Sequence, residues 1–451
     1  MNLIYKIGDR PAFRQVIVFA IQQLLAIMAA TLVVPVITNG NWGVSGPDAL
    51  SPAAALFGAG AGTIIYLLFT KFSSPVFLGS SFAFLGSMAS AFAGSIAVSY
   101  LGLVLGAVFA GLVYVVLAIV VKCVGVNWIN KLMPPVVIGP TVAIIGLSLA
   151  GNAIGDLTKA SYAGGSVYVC LIVGLVTLFV TMLVSTYSKG FGRLIPFIIG
   201  ILAGYATASI FYAIGAATGN DALKVIDFSP IVNNFADFSV KSIVSVPHFV
   251  FPTALKGLKE ITGAQISTVA VAYIPVAFVV FAEHIADHKN LSTIIGQDLL
   301  EKPGLHRTLL GDGVGSMVGA FFGGCPNTTY GESVACVAIT RNASVITIVT
   351  TAVLAMVIAF LSPFVAFVNS IPSCVMGGVC IALYGFIAVS GLKMIQQVDL
   401  SKNHNLFVVS IILICGIGGL SVSFGKVTIT TVACALILGI IANILLSREK
   451  E

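Results

Sequence analysis

Apolar runs of about 20 residues follow one another along most of this 451-residue chain. A helix needs that length to cross the hydrocarbon core of a bilayer. Only 8% of the residues are charged and 58% are hydrophobic, a composition that no water-soluble class shares. Inside lipid every backbone N–H and C=O must be satisfied within the protein, so helix is the default way across. An all-α membrane protein is expected, and the 47 glycines suit closely packed membrane helices.

The pattern divides into fourteen transmembrane segments, at 14–37, 50–70, 76–93, 98–121, 133–151, 166–187, 194–216, 267–288, 305–324, 328–341, 343–363, 373–391, 404–424 and 427–447. Segments three and ten are too short or too interrupted for simple spanning helices, and short extended pieces are expected there. Lys6, Arg10 and Arg14 precede a full-length span, and no cleavable leader is read.

With the N-terminus in the cytoplasm, Lys159, Lys224, Lys241, Lys256, Lys259 and Lys426 fall outside. The rest of the 22 Lys and Arg fall inside. This positive-inside bias supports an even number of spans with both termini cytoplasmic. The net charge of +6 is scattered over short loops and does not suggest nucleic acid. The eight cysteines, none in a CxxC pair, read as buried small hydrophobes without a disulfide or zinc framework.

Two local patterns recur. Met133-Pro134-Pro135-Val136-Val137-Ile138-Gly139 opens segment five, and Ile371-Pro372-Ser373-Cys374-Val375-Met376-Gly377 opens segment twelve. Ser80-Ser81-Phe82 in segment three pairs with Thr328-Thr329-Tyr330 in segment ten. An offset of seven segments turns the second copy over in the membrane. The organisation expected is a first repeat at 1–216, a long extracellular connection at 217–266 and an inverted second repeat at 267–451. Inverted repeats with interrupted segments at matching places point to a secondary transporter.

Acids at membrane depth cost about 2.5–3.5 kcal/mol or more and mark substrate, ion or proton sites. Glu332 follows Gly323-Gly324-Cys325-Pro326-Asn327-Thr328-Thr329-Tyr330-Gly331, where Pro326 and the polar run resist helix. An extended piece followed by a mid-membrane helix start would offer free N–H groups to a carbonyl or an anion. The alternative is that Glu332 only caps that helix. Glu283 and Asp287, spaced i,i+4, share a helix face, and two close carboxylates disfavour double ionisation, as a proton-coupled carrier requires. The alternative is a polar helix end near the cytoplasm. His284 and His288 share a second face; a role as polar residues near that end outweighs a metal reading. Asp312 tethers helices or relays protons, and the sequence does not separate the two. Gly58-Ala59-Gly60-Ala61-Gly62 lacks a preceding strand, so it reads as close helix packing rather than a dinucleotide loop.

At these residues the chain resembles the nucleobase–ascorbate transporter family, especially its uracil permeases. The match rests on Leu78-Gly79-Ser80-Ser81-Phe82-Ala83-Phe84, Ala282-Glu283-His284, Pro303-Gly304-Leu305-His306-Arg307 and Asn327-Thr328-Thr329-Tyr330-Gly331-Glu332. The resemblance implies a core domain of segments one to four and eight to eleven, a gate domain of segments five to seven and twelve to fourteen, and a homodimer in the cell membrane. It implies proton-coupled uracil import without a cofactor. Glu283 and Glu332 would accept from ring N–H groups, the amides of Phe82 and Gly331 would face ring carbonyls, Tyr330 would wall the pocket and Tyr384 would reach in from the gate. Glu283, Asp287 and Asp312 are the proton-coupling candidates. Gln23 and Asp287 stand where uracil permeases often carry histidine, while Asp287 and Asp312 resemble the purine branch. A xanthine or urate symporter is therefore the alternative within the family. From other classes, a channel would need polar rings along a pore, and a membrane-embedded metal-dependent enzyme would have only the Glu283–His288 cluster.

Overall fold

The computed structural model describes residues 3–92, 94–125, 128, 134–424 and 427–446. Met133 of the repeated motif, and Lys131, Lys426, Arg448 and Lys450 of the charge count, lie outside the described residues.

The first half contains α1 (Phe13–Trp42), α2 (Pro52–Phe69), β1 (Leu78–Ser80), α3 (Leu85–Ala89), α4 (Ile96–Val124), α5 (Pro135–Ser148), α6 (Ala150–Leu157), α7 (Val167–Tyr187) and α8 (Pro196–Thr218). Three short helices follow: α9 (Ser229–Ala236), α10 (Val240–Ile243) and α11 (Val250–Gly257). The second half contains α12 (Gly263–Ile295), α13 (Leu305–Gly323), β2 (Asn327–Thr329), α14 (Gly331–Thr340), α15 (Val345–Ile358), α16 (Ser362–Asn369), α17 (Ser373–Ile395), α18 (Asn403–Ile417), β3 (Val422–Phe424), β4 (Val427–Ile429) and α19 (Thr431–Leu446). Among the described residues, 8 helices are long and apolar enough to cross a membrane. The fold is that of a mostly helical membrane protein with minor strands.

Local chemistry sets the element ends. Ser51 and Ser95 accept first-turn N–H bonds at the starts of α2 and α4. Thr262 and Gln265 form a reciprocal capping box at the start of α12, and Gly296 ends that helix in the left-handed region at φ 70°. Pro134 and Pro372 stand immediately before α5 and α17, and those two helices pack together.

Three expected boundaries differ. α12 runs past 288 to Ile295, because Lys289-Asn290 continues the helix toward Gly296. The fifth segment is two helices that meet at Leu149. After α15 the chain forms α16 where a loop is expected, with Pro363 inside its first turn. Cys123, in the last turn of α4, is exposed, contrary to its reading as a buried hydrophobe.

α2 packs on α13 and α15, while α4 packs on α12, α13 and α11. On the other side, α17 packs on α5, α6 and α7, and α18 packs on α5 and α19. The Gly58–Gly62 run forms a close helix crossing. A Cβ at Gly58 would lie 2.5 Å from the Gly319 oxygen of α13, and one at Gly62 would lie 2.6 Å from the Gly315 oxygen. Only glycine permits that approach.

β1 and β2 pair antiparallel, with Leu78 opposite Thr329, Gly79 opposite Thr328 and Ser80 opposite Asn327. Each strand is followed by one residue, Ser81 or Tyr330, and then by a helical turn that starts at Phe82 or Gly331. Equivalent positions are therefore Ser80-Ser81-Phe82 and Thr329-Tyr330-Gly331. The pairing read from sequence is displaced by one residue: Thr328-Thr329-Tyr330 is the closer match in residue type, but β2 ends at Thr329, one position later than that match places it.

Candidate functional site

The strand pair brings two helix starts to one place. First-turn N–H groups have no partner inside their own helix, and both Phe82 and Gly331 line a cavity of about 420 Å³. Glu283 and Asp287 of α12 and Glu332 of α14 line the same cavity. The opposite wall comes from Leu383, Phe386, Ile387 and Ser390 of α17 and from Val142 of α5. A narrower recess of about 80 Å³ shares Phe82, Glu283, Gly331 and Glu332 and adds Thr328, Thr329 and Tyr330. The i,i+4 spacing puts both acids of α12 on the cavity side, and the helix interruption around Pro326 puts Glu332 in the first turn of α14.

Neighbouring contacts fix this arrangement. Thr329 Oγ1 donates to Asp287 Oδ2 at 3.0 Å. The Tyr330 hydroxyl donates to the Ser80 carbonyl at 2.6 Å, and its ring lies so close under Gly79 that a Cβ there would sit 2.3 Å from it. Tyr330 therefore supports the strand pair as well as bordering the recess. Gln23 Nε2 donates to Ser333 Oγ at 2.6 Å, and the same oxygen accepts from Phe77 N–H at 3.0 Å. Gln23 thus ties α1 to the turn that carries Glu332 and to the approach of β1.

Two expectations need correction. Tyr384 does not line the main cavity; its ring stands edge-on to Phe82, with centroids 6.1 Å apart. The helical phase of α17 aims Leu383, Phe386, Ile387 and Ser390 inward and leaves Tyr384 behind Phe82. His284 and His288 are not a polar helix end: both are fully buried, because α12 continues beyond them. Their rings stack with centroids 4.0 Å apart. Among the described residues, no group of three or more His, Cys, Asp or Glu is arranged to hold a metal.

Asp312 lies behind the cavity acids. Its Oδ2 is 2.7 Å from His284 Nδ1, and His284 Nε2 is 2.9 Å from Thr308 Oγ1. The Thr308 hydroxyl also reaches the Leu305 carbonyl at 3.0 Å. With that carbonyl as acceptor, Nε2–H must donate to Thr308, and one proton is shared between Nδ1 and Asp312. If that proton leaves, Nδ1–H can donate to the carboxylate while the Thr308 hydroxyl turns to Nε2. Both proton counts keep the two His284 ring nitrogens hydrogen-bonded, while in the second the Thr308 hydrogen leaves the Leu305 carbonyl. His288 Nδ1 is 2.8 Å from the His284 carbonyl, which can only accept, so Nε2 is left to accept from the Tyr66 hydroxyl at 2.7 Å.

A family profile described as Permease family matches residues 14–424. The uracil permease of Bacillus subtilis (strain 168) is 36% identical over 442 residues, covering 96% of this chain and 93% of that protein. This chain belongs to that permease family, the nucleobase–ascorbate transporters. The uracil permease of Escherichia coli (strain K12) is 33% identical over 437 residues, covering 96% of this chain and 92% of its own. Among solved structures, the transmembrane domain of the cyanobacterium bicarbonate transporter BicA aligns with a TM-score of 0.61 at 12% identity, covering 97% of this chain and 100% of that domain. That last likeness is one of fold. As a nucleobase–ascorbate family permease, the chain is a transporter.

Proposed function

We propose that this permease imports uracil across the cytoplasmic membrane by proton-coupled alternating access. One observation carries the reading: two glutamates, with Asp287 beside them, and the helix-start residues Phe82 and Gly331 line one cavity. Uracil presents two ring N–H donors and two carbonyl acceptors. Glu283 and Glu332 accept from the ring N–H groups, the amides of Phe82 and Gly331 donate to the carbonyls, and Tyr330 borders the recess. The relatives named uracil permease support this substrate over the purine alternative.

In this reading the chain has fourteen membrane segments in two inverted repeats of seven. Segments one to four and eight to eleven form a core that carries the acids, and segments five to seven and twelve to fourteen form a gate. The packing of α2, α4, α12, α13 and α15, apart from that of α5, α7, α17 and α18, supports the division. The cavity lining extends to Arg193, Pro196 and Met394, positions that the Lys and Arg count assigns to the cytoplasmic side. The described state is thus read as inward-open. Glu283, Asp287 and Asp312 carry the coupled proton, and the protein works as a homodimer.

A thermal-shift panel of uracil, thymine, xanthine, urate and ascorbate on the purified permease tests the substrate. Uracil gives the largest stabilisation if the reading is right; a larger shift with xanthine or urate refutes it.

A further inference from the structure

Behind the substrate cavity lies a second, much smaller one of about 10 Å³, bordered by Tyr114, Asp312, Ser316, Asn327 and Thr328 among others. Three of its lining residues carry a buried polar atom without a partner in the protein: the Tyr114 hydroxyl, Asp312 Oδ1 and Asn327 Oδ1. An orphaned buried polar atom is costly, and buried orphans are normally satisfied by ordered water. The volume is that of one water molecule, and buried waters typically make about three hydrogen bonds. The donor balance also fits: Tyr114 O–H donates to the water, and the water's two hydrogens go to the oxygens of Asp312 and Asn327.

Thr328 borders both this cavity and the recess that holds Glu283 and Glu332. We infer that a single structural water bound by Tyr114, Asp312 and Asn327 bridges Asp312 to Thr328, and so joins the buried Asp312–His284 pair to the substrate cavity. The water is a proton bridge. Thr328 Oγ takes a proton from the cavity side and releases its own to the water. The water passes one of its protons to Asp312 Oδ1. Each intermediate oxygen ends with the protons it began with, and the Asp312–His284 pair gains one. The Thr308 hydroxyl turns to keep His284 bonded in both states.

Other titratable groups surround the pair. His288 stacks on His284 from α12 itself, and the Tyr114 ring of α4 stands edge-on to His284 at 6.1 Å. Tyr66 of α2 bonds His288. Glu283 and Asp287 occupy the cavity side of α12, with Glu332 across the recess.

The transport consequence rests on the proton-coupled reading above; the water site does not. Tyr114→Phe removes one hydroxyl and leaves the packed ring. With the water in place, this variant lowers the melting temperature by about 2 °C and cuts proton-gradient-driven uracil accumulation in proteoliposomes at least tenfold. An unchanged or raised melting temperature overturns the water site. A lowered melting temperature with intact accumulation overturns the bridge. The melting arm holds even if the wild type carries another substrate. Should Tyr114→Phe fail to insert, Thr328→Ser and Thr328→Val decide: Ser keeps accumulation and Val loses it, while equal accumulation by the two overturns the bridge.

Discussion

Thr329 Oγ1 donates a 3.0 Å hydrogen bond to Asp287 Oδ2, which ties strand β2 to helix α12 at the cavity wall. The two residues are 42 positions apart in the chain and come from different segments. This contact holds an acid of α12 in register with the turn that carries Glu332. Thr329→Val removes the donor while keeping the shape. Loss of a buried hydrogen bond costs about 1.4 kcal/mol, or roughly tenfold in apparent affinity. Uptake kinetics should show the KM for uracil rising about tenfold for Thr329→Val and little for Thr329→Ser. Equal KM values for the two variants contradict the role given to the hydroxyl.

Glu283→Gln and Glu332→Gln each replace an acceptor-only carboxylate with an amide that presents N–H to the cargo. An unsatisfied donor pair then faces the ring N–H groups. Both variants are expected to insert at normal levels and to lose uracil uptake by about a hundredfold or more. Normal uptake by either removes that residue from the substrate site.

Gly58 faces α13 at a distance no side chain tolerates, since a Cβ there would lie 2.5 Å from the Gly319 oxygen. Gly58→Val forces α2 and α13 apart and costs about 1–3 kcal/mol or more. Gly40→Val, at a position with nothing within 4 Å of a Cβ, is the control. Melting curves in detergent should show a clear drop for Gly58→Val alone; matching curves for the two variants refute the packing role.

Much of this architecture is legible in the sequence because lipid makes the rules strict. Apolar run length locates the 8 long apolar helices, and Pro326 with its polar neighbours announces the break before Glu332, since non-helical backbone at membrane depth must line a cavity or be buried. The i,i+4 spacing of Glu283 and Asp287 places both on the cavity. What depends on contacts between distant segments is not legible. The register that sets Gly79 opposite Thr328 joins two strands far apart in the chain, and no local pattern states it. Gln23 and Ser333 are 310 positions apart, and no local pattern links them. His284 and His288 look like a helix end because the apolar run stops near them while the helix does not. Tyr384 is expected at the cavity only from the resemblance, and one step of about 100° along α17 decides whether a side chain faces the cavity or the back of Phe82.

In the proposed mechanism, cargo movement and proton movement share one site. Uracil accumulation in proteoliposomes of the purified permease, with and without an inward proton gradient, probes that coupling without intermediaries. Accumulation against a uracil gradient is expected when the proton gradient is imposed, with collapse to equilibration when a protonophore dissipates it. Full accumulation without any proton gradient would show that the two movements are not coupled.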